Sequence, residues 1–362
     1  MAFDVIIAGA GIIGSSIAWR LAQHGLRVAL LDAGRMGGEA SSAGAGMLAP
    51  GGEIEDRTPW NEFALESLRL YPDFVAELES ETGQRIDFQR LGAVDVAASE
   101  EEWRALEARG RVQASLAIPS CPLSAGELRK QVPLVRDGVA GALFYPQDAL
   151  ADPYDVMRAL RSACLIRGVE IREGVAVEAI RPSADSAEVR TSTGVLGAAA
   201  AVLAAGAWSS QIPVEGLRLR RAFPVRGHLI GFHLESSLGP IVRHGHTYLL
   251  QRAGGFTIAG TSSEHAGFDR ILDPRILSDI HSRAADLLPV LSTKTPDRQW
   301  LGFRPGVEGE GPAVGRAGET ALWLAYGHYR NGILLAPATA ATVAGEITAN
   351  LETGSSGRSG RH

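Results

Sequence analysis

The sequence is poor in cysteine, in clustered positive charge and in long apolar runs. Only two cysteines, Cys121 and Cys164, occur among 362 residues, so a disulfide framework cannot hold the fold together and a reducing, cytoplasmic environment is expected. The net charge is -6 and Lys and Arg form no cluster, which argues against a nucleic-acid partner. No run approaches the roughly 18 uninterrupted apolar residues of a membrane span. The apolar start, Val5 to Ile17, follows an aspartate and no basic residue, so we expect neither a signal peptide nor a membrane span.

The length and composition indicate a globular protein with a large core. With 45% apolar residues in 362, the chain can bury enough surface for two closely packed domains. A short segment of ten residues at the end, from Thr353 to His362, is rich in Gly, Ser and Arg. We expect that segment to be a disordered tail.

The N-terminal residues have the pattern of a dinucleotide-binding βαβ unit. Phe3 to Ala8 is predicted to be a buried strand, and Arg27 to Leu31 a second strand that ends at Asp32. Between them, Gly9, Gly11 and Gly14 open a helix: one turns the chain, one lets a pyrophosphate approach the backbone, and one packs helix on strand. Asp32 stands where a carboxylate can accept hydrogen bonds from an adenosine ribose. The motif alone does not distinguish NAD from FAD, but the following small-residue stretch, Gly34 to Pro50, fits the longer flavin cofactor better.

Local signals predict further helices and strands. A helix begins at Pro59 and ends at Gly83, and Asp-Pro pairs at Asp152-Pro153 and Asp273-Pro274 indicate two more helix starts. A last helix follows Gly332. Strands are predicted at Val169 to Ile171, Ala199 to Ala205, Gly227 to His233, His246 to Gln251 and Phe256 to Ala259. The last three are expected to form an antiparallel sheet of a second domain.

Four segments resemble the D-amino acid oxidase superfamily of FAD-dependent oxidoreductases, and within it the glycine oxidase branch that serves thiamin biosynthesis. They are Val5 to Ser15, Met36 to Leu48, Gly302 to Gly306 and Gly327 to Pro337. The resemblance implies an α/β fold, α+β overall, with a Rossmann-like FAD-binding domain on a parallel sheet and a substrate domain on a largely antiparallel sheet. Residues 1–85, 140–215 and 300–352 are assigned to the FAD-binding domain, and residues 86–139 and 216–299 to the substrate-binding domain.

The resemblance also implies that FAD is bound without a covalent link, because Cys121 and Cys164 lie far upstream of Gly327. It assigns flavin contacts to Ser41, Ser42, Ala45, Gly46 and Met47, and an adenine contact to the backbone of Val175. It places Gly332, Ile333 and Leu334, at the start of the last helix, against the isoalloxazine, where helix amides stabilise the negative charge of reduced flavin. The remaining cofactor contacts that we expect are Ile12, Ile13, Ala33, Gly206, Trp208, His328, Arg330 and Asn331.

A small amino acid needs one fixed cation for its carboxylate, and Arg304 suits this role because guanidinium binds carboxylate in a bidentate fork. Tyr248 resembles the family tyrosine that shares the carboxylate, and Arg330 resembles a second family arginine. His246 and Met47 complete the candidates. Each of these residues also has a purely structural interpretation: an ion pair for Arg304, a structural histidine at position 246 and a core side chain at Tyr248. No metal site is expected.

The implied reaction is hydride transfer from the substrate α-carbon to flavin N5, followed by hydrolysis to an oxo acid and ammonia and by reoxidation with molecular oxygen. Glycine is the expected substrate, and sarcosine, proline and D-alanine stay open. The alternatives are a D-amino acid or sarcosine-type oxidase or dehydrogenase that uses a quinone, and a non-catalytic flavin-binding subunit. The sequence departs from the family pattern at Asp32, where glutamate is commoner, and at Thr261-Ser262-Ser263, where a methionine often occurs. The resemblance further suggests a homotetramer.

Overall fold

The computed structural model describes residues 3–359, and side chains as far as residue 353. Its strands, in chain order, are β1 Phe3–Ala8, β2 Val28–Asp32, β3 Met47–Leu48, β4 Phe88–Gln89, β5 Ala93–Ala97, β6 Cys121–Ser124, β7 Gly141–Tyr145, β8 Ala149–Ala151, β9 Glu170–Glu173, β10 Val177–Pro182, β11 Ala187–Thr191, β12 Gly194–Leu203, β13 Ala222–His233, β14 Ile241–His244, β15 Thr247–Gln251, β16 Phe256–Gly260, β17 Arg298–Val307, β18 Ala313–Arg316 and β19 Leu322–Tyr326. Its helices are α1 Ile12–Gln23, α2 Ala40–Ala43, α3 Pro59–Thr82, α4 Glu100–Ser115, α5 Ala125–Gln131, α6 Pro153–Ile166, α7 Pro274–Leu287 and α8 Gly332–Ser359.

The local helix signals act as predicted. Thr58 caps α3 at its start, and Gly83 ends it in the left-handed conformation with φ 67°, which a residue without a β-carbon adopts at little cost. Asp152 accepts a hydrogen bond from the backbone N–H of Tyr154, and Asp273 accepts one from that of Arg275. Each aspartate thereby satisfies one amide that the helix leaves free.

The first sheet has the order β10-β11-β12-β1-β2-β9, and β19 joins it beside β12 with β18 at the edge. Its central pairings, β12 with β1, β1 with β2, β2 with β9 and β12 with β19, are parallel. Apolar side chains of α1, α3, α6 and α8 form one core with this sheet. The predicted return of the chain to the nucleotide-binding sheet is made by β12.

The second sheet has the order β17-β13-β16-β15-β14-β5-β7-β6. Every pairing in it is antiparallel except that of β14 with β5. A separate apolar core lies between this sheet and helices α5 and α7. A small third sheet has the order β3-β8-β4. The predicted fold class, a parallel sheet combined with a largely antiparallel one, is confirmed.

Two strands lie in a different sheet from the one expected. β7 pairs with β5 and β6, and β17 pairs with β13 along its whole length. Both therefore belong to the second sheet, although residues 140–215 and 300–352 were assigned to the FAD-binding domain. Hydrogen bonds between strands distant in sequence decide sheet membership, and the local sequence does not reveal them.

Among the described residues, one helix is long and apolar enough to cross a membrane, by length and composition alone: the stretch Tyr329–Thr353, which makes up most of α8. This stretch is not an uninterrupted apolar run, because small and polar residues are interspersed among the apolar ones. Within its most apolar window, 56% is buried, and α8 packs on α1 and α3. Such burial is typical of a core helix.

The same helix is longer than the sequence predicted. α8 continues to Ser359, whereas a disordered tail was expected for residues 353–362. Gly and Ser lower helix propensity, but they do not by themselves end a helix that already has many turns. Residues 360–362 lie outside the described part of the chain.

Candidate functional site

A cavity of about 2050 Å³ lies between the two large sheets. On one side its wall is formed by the carboxyl ends of β1, β2, β12 and β19 and by the residues that follow them. On the other side, residues of β13, β15 and β17 face it. Ligands of parallel α/β sheets bind at the carboxyl ends of the strands, so the cavity is where a dinucleotide is expected.

The glycine turn after β1 leaves room for a phosphate group. Gly9 has φ +106°, and a β-carbon there would collide with the carbonyl oxygen of Ala204. A β-carbon at Gly14 would collide with the carbonyl oxygen of Gly9, so this glycine lets α1 approach the strand. Gly11 is the N-cap residue of α1 and has no side chain of its own to cover the helix start. The turn is therefore a backbone cradle that fits the pyrophosphate of FAD.

Asp32 is held rigidly at the end of β2. Its Oδ2 accepts the backbone N–H of Ala10 at 2.8 Å, and its Oδ1 accepts that of Gly34 at 2.8 Å. Both Asp32 and Ala33 line the cavity. Each carboxylate oxygen keeps a lone pair for a further donor, which agrees with the ribose contact predicted from the sequence.

The small-residue stretch after β2 wraps along the cavity, as its composition indicated. Ser41 Oγ accepts the backbone N–H of Ile12 at 2.9 Å, which ties the stretch to the start of α1. Arg252 donates from Nη2 to the carbonyl oxygens of Gly44 and Ala45, both at 3.0 Å. The stretch is thus held from both large sheets, and Ser41, Ala45, Gly46 and Met47 line the cavity.

The start of α8 also reaches the cavity. Gly332 and Ile333 line it, together with His328 and Arg330. Burial lowers the pKa of His328 to about 3, so its ring is neutral, and its Nε2 lies 3.1 Å from Thr339 Oγ1. The amides of a helix N-terminus favour an anion, and this end of α8 faces the cavity.

Most of the predicted cofactor residues line the cavity. The set comprises Gly9, Gly11, Ile12, Ile13, Asp32, Ala33, Ser41, Ala45, Gly46, Met47, Gly206, Trp208, His328, Arg330, Gly332 and Ile333. Five predicted residues are not part of its wall: Gly14, Ser42, Val175, Asn331 and Leu334. Gly14 acts through packing, and Leu334 is a buried core residue. Ser42 and Asn331 use their backbone N–H groups inside their own turns.

The adenine contact assigned to the backbone of Val175 stays a prediction. The backbone N–H of Val175 donates to the carbonyl oxygen of Asp32 at 2.8 Å and so joins two neighbouring segments of the first sheet. Ala176 and Val177 line the cavity instead. Which residue of this segment faces the cavity depends on where β10 begins.

Arg304 lies on β17, with its guanidinium across the bare face of Gly227 on β13. Its Nη1 donates to the carbonyl oxygen of Ser262 at 3.0 Å, and its Nη2 donates to Thr261 Oγ1 at 2.7 Å. Both acceptors are neutral, and among the side chains of residues 3–353 no carboxylate forms an ion pair with Arg304. The guanidinium is therefore a fixed cation that is free to bind an anionic ligand.

Arg330 differs from Arg304 in this respect. Its Nη2 lies 2.9 Å from Oε1 of Glu53, and its side chain is 53% exposed. Both members of this ion pair line the cavity. Part of the charge of Arg330 is thus already balanced by a residue that the sequence analysis did not single out.

Tyr248 lies on β15 beside Gly260, and a β-carbon at Gly260 would collide with its ring. Burial raises the pKa of its hydroxyl to about 12, although the positive charge of Arg304 acts in the opposite direction. The hydroxyl therefore stays protonated at neutral pH and can donate a hydrogen bond. Tyr248, Arg304 and Met47 all line the cavity.

His246 was expected on the same strand face as Tyr248, and this placement is wrong. His246 lies in the exposed turn between β14 and β15, because β15 begins only at Thr247. It still lines the rim of the cavity. The boundary of a strand decides which face a side chain occupies, and boundaries are the least certain part of a sequence-based assignment.

Further polar residues of the cavity wall were missed. Arg283 of α7 donates to Thr247 Oγ1 at 2.8 Å and to the carbonyl oxygen of Thr261 at 3.3 Å. Arg243 of β14 donates to Asp95 at 2.5 Å. Glu264 also lines the cavity, two residues after Ser262, whose carbonyl oxygen accepts a hydrogen bond from Arg304. These residues carry no motif, so the sequence held no signal for them. In the part of the chain that the structure describes, no group of three or more metal-ligating residues occurs.

Comparisons with known proteins agree on one family. The model of the family described as FAD dependent oxidoreductase matches residues 4–346. Glycine oxidase of Bacillus subtilis (strain 168) is 33% identical over 344 residues, covering 94% of this chain and 92% of that protein. The bifunctional protein ThiO/ThiG of Synechocystis sp. is 33% identical over 350 residues, and the match covers 51% of its length. The crystal structure of glycine oxidase from Geobacillus kaustophilus superimposes with a TM-score of 0.89 at 31% identity, covering 96% of this chain and 95% of that one.

Proposed function

The chain belongs to the FAD dependent oxidoreductase family, and from this we propose that it is a glycine oxidase. It catalyses the FAD-dependent oxidative deamination of glycine to glyoxylate and ammonia, with oxygen reduced to hydrogen peroxide. The glycine oxidases among its relatives match over nearly the whole of both chains, which supports this activity for the chain as a whole.

The observation that carries the proposal is the unpaired guanidinium of Arg304 in a cavity that also holds a dinucleotide cradle. Arg304 binds the substrate carboxylate in a bidentate manner, and the protonated Tyr248 hydroxyl donates to the same carboxylate. These two residues fix the direction of the α-carbon, and a small substrate needs no further grip. A flavin-binding subunit without catalysis would have no use for a carboxylate site.

The residues that hold FAD are the cradle of Gly9 and Gly11, the carboxylate of Asp32 and the N-terminus of α8. When bound, FAD supplies the acceptor for the hydride of the α-carbon. The protein itself contributes orientation and a fixed electrostatic environment. Neither Cys121 nor Cys164 lines the cavity, and Cys164 is buried beside α1, which supports non-covalent binding.

Neither Tyr248 nor Glu264, which line the cavity together with Arg304, is suited to remove a proton from the substrate amine. The Tyr248 hydroxyl is protonated, and both carboxylate oxygens of Glu264 are engaged by Arg226, His228 and Ser262. The amine therefore loses its proton to solvent, and the neutral amine is the reacting form. The chain holds and orients this form, and does not generate it.

The proposal extends to the cellular setting. A homotetramer in the cytoplasm is favoured by the resemblance to glycine oxidases and by the low cysteine content. A role in thiamin biosynthesis is supported by the similarity to the bifunctional protein ThiO/ThiG. Gel filtration of the purified holoenzyme tests the tetramer directly.

The experiment that tests the activity begins with the purified yellow protein. Peroxide release is measured with glycine, sarcosine, proline and D-alanine, and glycine is expected to have the highest kcat/KM. Stopped-flow reoxidation in air-saturated buffer and with a soluble quinone distinguishes oxygen from quinone as acceptor. A colourless protein that cannot be reconstituted with FAD, or a holoenzyme that releases no peroxide from any of the four, contradicts the proposal.

A further inference from the structure

The two hydrogen-bond acceptors that fix Arg304 come from adjacent residues of one turn, Thr261 and Ser262. We call residues 261–264 the 261–264 turn. It follows directly after β16, and its last residue, Glu264, exchanges two backbone hydrogen bonds with Arg226 of β13, at 2.9 and 3.0 Å. Because both Nη atoms are engaged, the guanidinium plane cannot rotate without breaking one of these bonds. The direction in which Arg304 presents its remaining N–H groups therefore depends on the position of this turn.

The turn is attached to β13 at His228. Thr261 Oγ1 donates to the carbonyl oxygen of His228 at 3.0 Å, and the backbone N–H of His228 donates to Ser262 Oγ at 2.9 Å. The carbonyl oxygen and the N–H group of the buried His228 thus fix Thr261 and Ser262, the two residues that bind the guanidinium of Arg304. The attachment lies on the strand next to β17, so it connects the turn to the strand that carries Arg304.

Glu264 is the centre of this attachment. Its Oε1 accepts from Ser262 Oγ at 2.6 Å and from His228 Nδ1 at 2.8 Å, and its Oε2 accepts from Arg226 Nε at 2.9 Å and Nη2 at 2.6 Å. Burial alone would raise the pKa of Glu264, but the hydrogen bonds from Ser262, Arg226 and His228 outweigh it and hold the pKa below its usual value. Glu264 is therefore ionised, and its acceptors are occupied by the protein.

His228 has a defined tautomer in this network. Its Nε2 accepts the backbone N–H of Asp273 at 3.2 Å, so the proton of the neutral ring is on Nδ1 and points to Glu264. The ring is completely buried, with 0% exposure. His228 thus connects Asp273, at the start of α7, with the carboxylate of Glu264.

We propose that Glu264 is a positioning residue for substrate binding: its side chain fixes Ser262 and the 261–264 turn beyond what the backbone bonds do, and thereby sets the direction in which Arg304 meets the substrate carboxylate. The inference rests on the proposed function only in naming that carboxylate as the substrate's. Glu264 is not a catalytic residue, because its oxygens are taken up by Ser262, His228 and Arg226. Its effect reaches the ligand through Thr261, Ser262 and Arg304.

The test uses the FAD-loaded protein and acetate as a small carboxylate probe, with binding followed by isothermal titration calorimetry. Glu264→Gln keeps the shape of the side chain but replaces one acceptor oxygen by a donor. It is expected to weaken acetate binding about tenfold, the equivalent of one hydrogen bond, and to raise KM for glycine similarly with kcat nearly unchanged. A purely structural role would lower Tm or FAD content and leave the acetate Kd of the remaining holoenzyme unchanged.

Glu308→Gln is the matched control. Glu308, which follows β17, pairs with Arg221, which precedes β13, at 2.8 Å. Both side chains are more than half exposed. The control removes a Glu–Arg contact of the same kind without touching the 261–264 turn. Its acetate Kd should equal that of the unmodified protein.

A second variant and a second background keep the inference falsifiable. Ser262→Ala removes the link between Glu264 and the turn and should weaken acetate binding in the same direction, even if Glu264→Gln does not fold. In an Arg304→Lys background, where an ammonium cannot use both acceptors, the effect of Glu264→Gln should shrink below about threefold. An equal effect in both backgrounds, or normal acetate binding by Ser262→Ala, overturns the inference.

The calorimetric result also separates this inference from the proposed function. If the protein released no peroxide from glycine but Glu264→Gln still weakened acetate binding, the positioning role would stand and the activity would fall. If glycine were oxidised and Glu264→Gln had the acetate Kd of the control, the activity would stand and the positioning role would fall.

Discussion

The guanidinium of Arg304 lies where the β-carbon of residue 227 would be, and Gly227 makes this position available. Gly227 is paired with Gly302 across β13 and β17, two register positions from the pairing of Val225 with Arg304. The arginine therefore crosses the neighbouring strand in close contact with its backbone. A cation held in this way loses little freedom when a carboxylate binds.

Gly227→Ala is predicted to weaken substrate binding although it removes no charge. The added methyl group collides with both Nη atoms of Arg304, so the guanidinium must leave its acceptors on Thr261 and Ser262. An increase in KM for glycine of about tenfold or more is expected from the loss of one or two hydrogen bonds. Gly197→Ala is the control, because a β-carbon at Gly197 meets no atom within 4 Å. Unchanged KM in Gly227→Ala would show that Arg304 does not need this position.

Arg304→Ala is predicted to be far more harmful than Arg330→Ala. Loss of two charge-assisted hydrogen bonds, each worth about 1.5 to 3 kcal/mol, lowers kcat/KM on the order of a hundredfold or more. Arg330 is already paired with Glu53, so its removal should cost about tenfold or less. Steady-state kinetics with glycine decides between them. Near-normal turnover of Arg304→Ala would refute its role, and equal losses in the two variants would refute the distinction.

The pH profile of kcat/KM is predicted to rise on the alkaline side. The neutral amine is the reacting form, and its fraction increases with pH until the ammonium group of glycine is titrated. The hydroxyl of Tyr248 has a pKa of about 12 because of its burial, so it keeps its proton over this range and does not cause a decline. Kinetics between pH 6 and pH 10 measure the profile. A flat profile would mean that a residue of the protein accepts the amine proton.

Stability is predicted to fall on acidification in a manner that depends on His328. Burial lowers the pKa of His328 to about 3 from 6.5, so between these values the unfolded chain binds a proton that the folded protein does not. The free energy of unfolding therefore decreases as pH falls below 6.5, by about 1.4 kcal/mol per pH unit. His328→Gln, which keeps a partner for Thr339, should flatten this dependence in urea unfolding.

The exposed His24 at the end of α1 provides the comparison for His328. His24→Gln should leave the pH dependence of unfolding as it is in the unmodified protein. If His328→Gln and His24→Gln gave the same slope between pH 6 and pH 4.5, the buried ring would not be the source of the effect.

The parts of the fold that the sequence predicted are those governed by neighbouring residues. The β1-α1-β2 unit follows from the glycine spacing and from Asp32, and the starts of α6 and α7 follow from their Asp-Pro pairs. In each case the residues that determine the local structure lie within that structure or next to it in the sequence. Arg304 and Tyr248 were found through a resemblance that covers separated motifs, and the structure brings both to the wall of one cavity.

The parts that the sequence did not predict depend on contacts between distant segments. β14 and β5 pair side by side although about 150 residues separate them. The difference between a free Arg304 and a paired Arg330 depends on Glu53, and the place of Val175 depends on a hydrogen bond to Asp32. Such pairings arise from the completed fold, and no periodicity or motif in one segment encodes them.

Helices α1 and α8 pack against each other in the main core, and both begin at the wall of the cavity. Occupation of the cavity and cohesion of that core are consequently linked equilibria, since a ligand that binds only the native chain adds to its stability by mass action. Melting temperature should then climb with the concentration of free coenzyme, and the apoprotein should be the form that proteases degrade first.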